Sequence, residues 1–480
     1  MSARVPLRRC LWLLALAAAL AGCATRGSDA PLAARVDAVL APLVQAHEFS
    51  GAVVLTRRGR VVYERGFGLA NHAAGTAFTA DTPTDGASLA KTFTAAAVAL
   101  LAAEGRIALD APVATYLPAY PHRATSVRHL LSHSSGLPPQ YESFDPFFGP
   151  DELRTTQRLL ALVALHFPSP AFEPGTRFEY SSLGHDAAAL LVEQVSGQTF
   201  ERFLRERFFG PLAMDASFVR PARLTEWQGV RTMGYRWRQG HWAPLDVFDL
   251  EGFVGGSNLY FSARDLSRWA SAHADSRALP AAVERAGQQR PCLAGAASAI
   301  NLLSWYCNEQ ADAATRCWYS GDLNAFYSLV MWDRRRGESL VYVSNSALPA
   351  WRRAELAQDL GDALAGLPQR SRPVALLRRF DKATRQSIAG RYKSPLLGTV
   401  TVGADLRLCI DGEPDYPVFQ VSSEVFYVPG RDLWLGFTGG EGPAVMQVRS
   451  VLADHTVIRL ADDPDTPRAG AARCAAAQAA

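Results

Sequence analysis

The chain of 480 residues predicts an α/β domain followed by a small all-β, barrel-like domain. Three observations carry that reading. Strand-like runs lie near both ends of the first 365 residues with helical runs between them, the pattern of one sheet that joins both termini of a domain. Residues 366–373, GLPQRSRP, interrupt that pattern as a linker does. After Phe380 the texture changes to short alternating strands separated by Gly, Pro and Asp. With 48% hydrophobic residues there is ample material for a full core.

Residues 1–23 begin with Arg4, Arg8 and Arg9, continue through an apolar run over 11–20, and end in Ala21-Gly22-Cys23. The run is too short to span a bilayer and has the anatomy of a secretory leader. Leu20-Ala21-Gly22-Cys23 resembles the bacterial lipoprotein box, which implies cleavage before Cys23 and its lipidation. An ordinary leader with an incidental cysteine is the alternative. Ala24 after the cysteine leans towards the outer membrane, so the expectation is an exported protein, lipid-anchored on its periplasmic face. Residues 24–31 read as a tether.

The first domain is placed at 32–365. An amphipathic helix is expected over 32–47, then a hairpin over 50–64 turning at Arg58-Gly59. A helix over 88–104 stops before Gly105, a favourable residue just past a helix end. Further helices are expected near 126–133, 155–166, 183–195 and 263–273, the last beyond Gly255-Gly256. Strands return at 304–307, 317–320, 325–333 and 339–345, and a helix over 351–365 closes the domain. After the linker, 366–379, the β domain is placed at 380–462, with strands at 398–402, 406–410, 418–421, 425–428, 433–437, 445–451 and 457–460. Residues 463–480, rich in Ala, Asp and Pro, are expected to be disordered.

The formal charge of +3 falls near zero once the leader arginines are gone, which argues against a nucleic-acid partner. Seven cysteines occur, but no CxxC or HExxH pattern, so neither a metal nor another cofactor is expected. Export implies an oxidising compartment. Cys307 and Cys317 flank a polar loop between two aromatic stretches, which suits a bridge across a hairpin. A monomer is expected.

Lysine usage gives the sharpest chemical clue. The sequence holds 46 Arg and three Lys, and Lys91 is the one lysine before Lys382. Arginine pairs and stacks but cannot release its proton at a usable pH. A chain that prefers arginine this strongly keeps a lysine where an amine that can become neutral is needed. Lys91 lies three residues after Ser88 in Ser88-Leu89-Ala90-Lys91, on one helix face. The helix is apolar nearly all round, hence buried, so its amine must be paired or deprotonated. A lysine that snorkels to a carboxylate is the structural alternative. Tyr180, in Tyr180-Ser181-Ser182, could relay a proton to or from Ser88 or simply pack on the core. Trp318-Tyr319-Ser320-Gly321 reads as a strand ending at a small residue, where a backbone N–H just beyond could complete an oxyanion hole.

With these spacings the first 365 or so residues resemble the serine β-lactamase and penicillin-binding-protein family, which includes D-Ala-D-Ala carboxypeptidases and esterases. Residues 49–55, 104–113, 127–137, 178–184, 255–266 and 319–328 match its segments in order, and Ile388-Ala-Gly-Arg-Tyr resembles the β appendages found behind such domains. The resemblance implies an antiparallel sheet flanked by helices plus an all-helical region. It implies Ser88 as acylated nucleophile, Lys91 as base and Tyr180 in proton transfer. The N–H groups of Ser88 and Asp322 would form the oxyanion hole, with Ser182, Tyr319, Ser320, Gly321 and Asp322 lining the substrate site. His129 and His133 would belong to a packed segment and not to a triad.

Two positions depart from the family. Ser182 stands where an Asn usually holds the substrate and steadies the lysine, and Tyr319 stands where a Lys or His usually faces a carboxylate. Both changes favour a small ester or unusual amide, including a peptidoglycan-derived one, over penicillins. The alternatives are a D-Ala-D-Ala carboxypeptidase or β-lactamase that uses another cation such as Arg316, and an inactive envelope-binding lipoprotein.

Overall fold

The computed structural model describes residues 30–368 except 139–140, 249–250, 276–278, 290–299 and 308–315, and residues 388–459 except 395–397, 404, 411–415, 421–424, 429–432, 439–444 and 450–453. Cys23 and the expected tail lie outside the described residues, as do the tether up to residue 29 and the linker from residue 369. The chain divides into two compact units between Ala347 and Leu348.

The first unit is built on a six-stranded sheet of β1 (Gly51–Arg57), β2 (Arg60–Phe67), β3 (Tyr306–Cys307), β4 (Arg316–Leu323), β5 (Phe326–Asp333) and β6 (Glu338–Ser344). Its order is β3-β4-β5-β6-β1-β2, and every neighbouring pair is antiparallel. Pairing of β1 with β6 joins the two ends of the domain, as the distribution of strands along the chain requires. The first hairpin turns at Arg58 and Gly59, both with positive φ, the geometry that matches strand twist in a two-residue loop. Six of the seven β1 residues are buried, so this strand is covered on both faces.

The helices that accompany the sheet include α1 (Ala30–Gln45), α2 (Ala90–Ala103), α3 (Val127–Leu131), α4 (Thr156–His166), α5 (Ser182–Ser196) and α6 (Ala263–Ala274). Helix α6 packs on β1, β5 and β6, and α1 packs on β2. Helices α3 and α4 pack on α5, which in turn packs on α2, forming the helical region. Side-chain caps fix where these helices begin. Ser126 accepts from the His129 N–H, Thr155 from Arg158 and Ser262 from Asp265, each stabilising its helix by about 1 kcal/mol. Helix α2 is held by its aromatic residue: Phe93 stacks on Phe261 at 4.9 Å and on Trp269 at 4.3 Å. The sequence reading missed the helices Phe200–Leu204 and Ala281–Gly287 and the hairpin of Tyr235–Arg238 with His241–Pro244. These elements are too short to show a period and form because their apolar residues, such as Phe200 and Phe203, find a place in the core.

Among its described residues the second unit holds α7 (Ala350–Ala365) and nine strands: β7 (Gly390–Ser394), β8 (Gly398–Val402), β9 (Arg407–Ile410), β10 (Tyr416–Pro417), β11 (Phe419–Gln420), β12 (Val425–Val428), β13 (Leu433–Thr438), β14 (Val445–Arg449) and β15 (Asp454–Arg459). They form one antiparallel sheet in the order β10-β9-β8-β7-β15-β14-β13-β12-β11. A closed barrel is not shown among the described residues: β10 and β11 end the sheet, with Val418 alone between them in the chain. Tyr392, Val400, Leu408, Phe426, Val428 and Leu435 form the apolar core of this unit.

Candidate active site

Ser88 sits on a strained turn between the short strand Thr84–Asp85 and α2. The sequence reading began the helix at Ser88; instead Ala87–Leu89 form a 3-10 turn and the α-helix starts at Ala90. Ala87 has φ +47°, a left-handed conformation that costs a residue with a Cβ roughly 1–2 kcal/mol. Its N–H is held by the buried Asp85 carboxylate at 2.7 Å. The Ser328 hydroxyl donates to the Gly86 carbonyl at 2.8 Å, which ties the turn to β5. Gly86 itself must be small, since a Cβ there would lie 2.6 Å or less from two carbons of the Phe261 ring. The turn thus leaves the Ser88 side chain half-buried, with buried residues on either side of it.

Lys91 is fully buried, as the apolar helix implied. Its Nζ donates to Ser88 Oγ at 3.0 Å and to the Gly256 carbonyl at 2.7 Å. Neither acceptor is a carboxylate, so the amine does not snorkel to an acid. The Gly255-Gly256 turn that supplies the carbonyl is clamped from two helices. Thr94 on α2 donates to the Gly255 carbonyl at 2.7 Å, and Asp186 on α5 accepts the Gly256 N–H at 2.7 Å. The other Asp186 oxygen accepts the Tyr141 hydroxyl at 2.7 Å. Burial raises the Asp186 carboxyl to about 7, against the opposing pull of these hydrogen bonds and of Lys91.

Tyr180 completes the cluster: its hydroxyl donates to Ser88 Oγ at 2.8 Å. Burial alone would raise this phenol, but the adjacent Lys91 and hydrogen bonds to its oxygen outweigh that and bring it below the ordinary tyrosine range. The ring is fixed from behind by His133, stacked on it at 4.4 Å between centroids. His133 is buried, and desolvation together with Lys91 lowers its imidazole to about 3, so it is a neutral packing group. His129 caps α3 and accepts the Ser126 N–H through Nδ1. No hydrogen bond links either histidine to Ser88 among the described residues.

Strand β4 forms the opposite wall. Gly321 is buried against the nucleophile turn, where a side chain would collide with the Gly86 carbonyl and lie 2.9 Å from the Ser88 nitrogen. Asp322 is therefore the next residue along from the Ser88 N–H. Ser320 is half-buried and Asp322 exposed. Tyr319 points inwards; its buried hydroxyl makes no hydrogen bond of good geometry, and burial and the neighbouring Tyr180 push it well above its ordinary range. Tyr306 stacks on both Tyr319 and Trp318, giving this wall an aromatic surface. Arg316, at the far end of β4, is paired with Asp333 at 3.3 Å. Cys307 and Cys317 are disulfide-bonded and join β3 to β4. Ser182 opens α5, and no hydrogen bond links it to Lys91 among the described residues. Among the described residues no group of three or more His, Cys, Asp or Glu could hold a metal ion.

The family model described as Beta-lactamase matches residues 36–365, which span both the sheet and this cluster. The chain belongs to the beta-lactamase family. Esterase EstB of Burkholderia gladioli is 32% identical over 277 residues, covering 50% of this chain and 69% of that protein. Penicillin-binding protein 4* of Bacillus subtilis (strain 168) is 29% identical over 183 residues, covering 38% of this chain but only 41% of that protein. The fold is shared with the octameric penicillin-binding protein homologue from Pyrococcus abyssi, with a TM-score of 0.62 at 20% identity over 89% of this chain and 99% of that one.

The structure brings Ser88, Lys91, Tyr180, Tyr319 and Gly321 together. The sequence reading did not identify Asp186, Tyr141 and Asp85, whose partners lie up to 70 residues away in the chain. The Gly255-Gly256 pair was the available signal: two adjacent glycines mark a place where backbone must approach backbone closely.

Asp186 also sets a pH dependence. A buried acid whose folded value exceeds its unfolded one retains a proton that the unfolded chain releases, so stability falls as pH rises between the two. For Asp186 that window runs from 3.8 to about 7, with Tyr141, Lys91 and Glu251 as the charged or titratable groups that face it. Relative to Asp186→Asn, the wild-type protein is expected to lose urea stability between pH 4 and pH 7 and to change little above that. A stability difference that is flat across this window would contradict the assignment.

Proposed function

We propose that the protein is a serine hydrolase that forms an acyl-enzyme on Ser88 and acts on small neutral esters or amides. The observation that carries this reading is the convergence of the Lys91 amine at 3.0 Å and the Tyr180 hydroxyl at 2.8 Å on one serine oxygen. Lys91 takes the Ser88 proton as Oγ attacks the carbonyl carbon. The developing oxyanion is met by the N–H groups of Ser88 and Asp322. Tyr180 protonates the departing alkoxide or amine, leaving a phenolate stabilised by protonated Lys91. In the second half that phenolate draws a proton from water, whose oxygen attacks the acyl carbon. The ester bond to Oγ then breaks, and Lys91 returns a proton to Ser88.

Substrate choice follows from Tyr319. A cation opposite a substrate carboxylate contributes a charge-assisted hydrogen bond worth roughly 1.5–3 kcal/mol. Tyr319 offers a neutral hydroxyl, and Arg316 is already neutralised by Asp333. Short-chain aryl esters are therefore expected to give higher kcat/KM than nitrocefin or D-Ala-D-Ala peptides. Tyr319→Lys is expected to move that ratio by about 10- to 100-fold towards the carboxylate-bearing substrates. A wild-type enzyme that already prefers penicillins would overturn the ester assignment and leave the carboxypeptidase or β-lactamase reading. The leader and Cys23 support a lipid-anchored protein on the periplasmic face of the outer membrane as the setting for this activity.

A further inference from the structure

We propose that Asp186 and Tyr141 are positioning residues for the general base: through Gly256 they hold Lys91 on Ser88. This rests on the hydrolase reading given above. Lys91 is the tip of a flexible side chain and needs a second contact to fix its direction. Ser182 does not supply it, and the acceptor used instead is the Gly256 carbonyl at 2.7 Å. A backbone carbonyl can aim a lysine only if the glycine that carries it is held.

Contacts on the Gly255–Gly256 peptide, immediately before that carbonyl, hold the glycine. Asp186 Oδ1 accepts the Gly256 N–H, Tyr141 donates to Asp186 Oδ2, and Thr94 fixes the preceding carbonyl. Tyr141 is in turn located by stacking on Phe253 at 4.7 Å. The fit leaves no slack: a Cβ on Gly256 would lie 2.9 Å from Asp186 Oδ1, from the Ser182 carbonyl and from the Tyr141 oxygen. Gly255 has φ +116° and packs against α5, where a Cβ would be 2.6 Å from that of Ala189. Asp186 is fully buried and has no other hydrogen-bond partner among the described residues. A carboxylate buried beside the base, and spent on one peptide N–H and one phenol, is a costly arrangement for packing alone. It is accounted for by the aim of the Gly256 carbonyl.

The test uses the mature soluble protein and reads both the rate of Ser88 labelling by a fluorophosphonate and steady-state ester hydrolysis. Misplacing a reacting group by about 1 Å costs on the order of 100-fold, so Asp186→Ala is expected to slow labelling and kcat by about 10- to 100-fold with KM within about threefold. Asp186→Asn keeps an acceptor for the Gly256 N–H and is expected to restore both rates to within about threefold of wild type. Tyr141→Phe keeps the ring stack and removes one contact, so a loss of about three- to tenfold is expected even if Asp186→Ala does not fold. Wild-type labelling rates in Asp186→Ala or Tyr141→Phe would overturn the proposal, as would failure of Asp186→Asn to restore the rates. If the wild-type protein itself is not labelled, the hydrolase reading falls and takes the proposal with it.

Discussion

Lys91→Arg is expected to lower kcat/KM for ester hydrolysis by about 1000-fold or more, although it preserves the positive charge. Guanidinium has no lone pair to accept the Ser88 proton at a usable pH. It is also larger than an amine, and Lys91 is fully buried with its Nζ already within hydrogen-bond distance of both Ser88 and Gly256. Ser88→Ala is expected to be more damaging still, by about 10⁴- to 10⁶-fold, because no other nucleophile is proposed. The pair of variants separates chemistry from structure. A lysine that served only to fill the helix would tolerate arginine poorly in stability yet leave kcat per folded molecule near normal. Turnover normalised to folded protein, measured with a short-chain aryl ester, distinguishes the two.

Tyr180→Phe is expected to cost about 100- to 10,000-fold in kcat, since it removes the group that hands a proton to the leaving group and takes one from water. The substitution is conservative in every other respect. The ring stack on His133 and the contact of the Lys91 amine with the ring face, at 5.1 Å, do not need the hydroxyl. The stability of the variant should therefore stay close to wild type. Burial opposes but Lys91 outweighs it and brings Tyr180 below its ordinary range; because Tyr180 must carry the proton it gives the leaving group, the wild-type rate is expected to fall as pH rises through its ionisation. The variant should lose that limb. A pH–rate profile unchanged in shape would mean that Tyr180 only packs and that Lys91 alone moves the protons.

The frame of the first domain was legible because its elements obey local rules. The β1–β2 hairpin announces itself through two strands around Arg58-Gly59, and α2 through an apolar run ended by Gly105. The spacing of Ser88 and Lys91 was legible for the same reason, as residues three apart on a helix meet on one face. The strain at Ala87 was not, because an alanine carries no mark of a left-handed conformation and takes it only where Asp85 and β5 enforce it. Asp186 and Tyr141 were hidden differently. Each is an unremarkable residue in its own segment, and only the fold places them on either side of Gly256. Closure of the second unit's sheet is not legible in the sequence, because alternating strands predict pairing but not closure.

Intact-mass spectrometry of the protein after fluorophosphonate treatment tests the central claim most directly. The account predicts a single adduct, located by peptide mapping at Ser88 and absent from Ser88→Ala. An adduct at another residue, or a folded wild-type protein left unmodified, would contradict it.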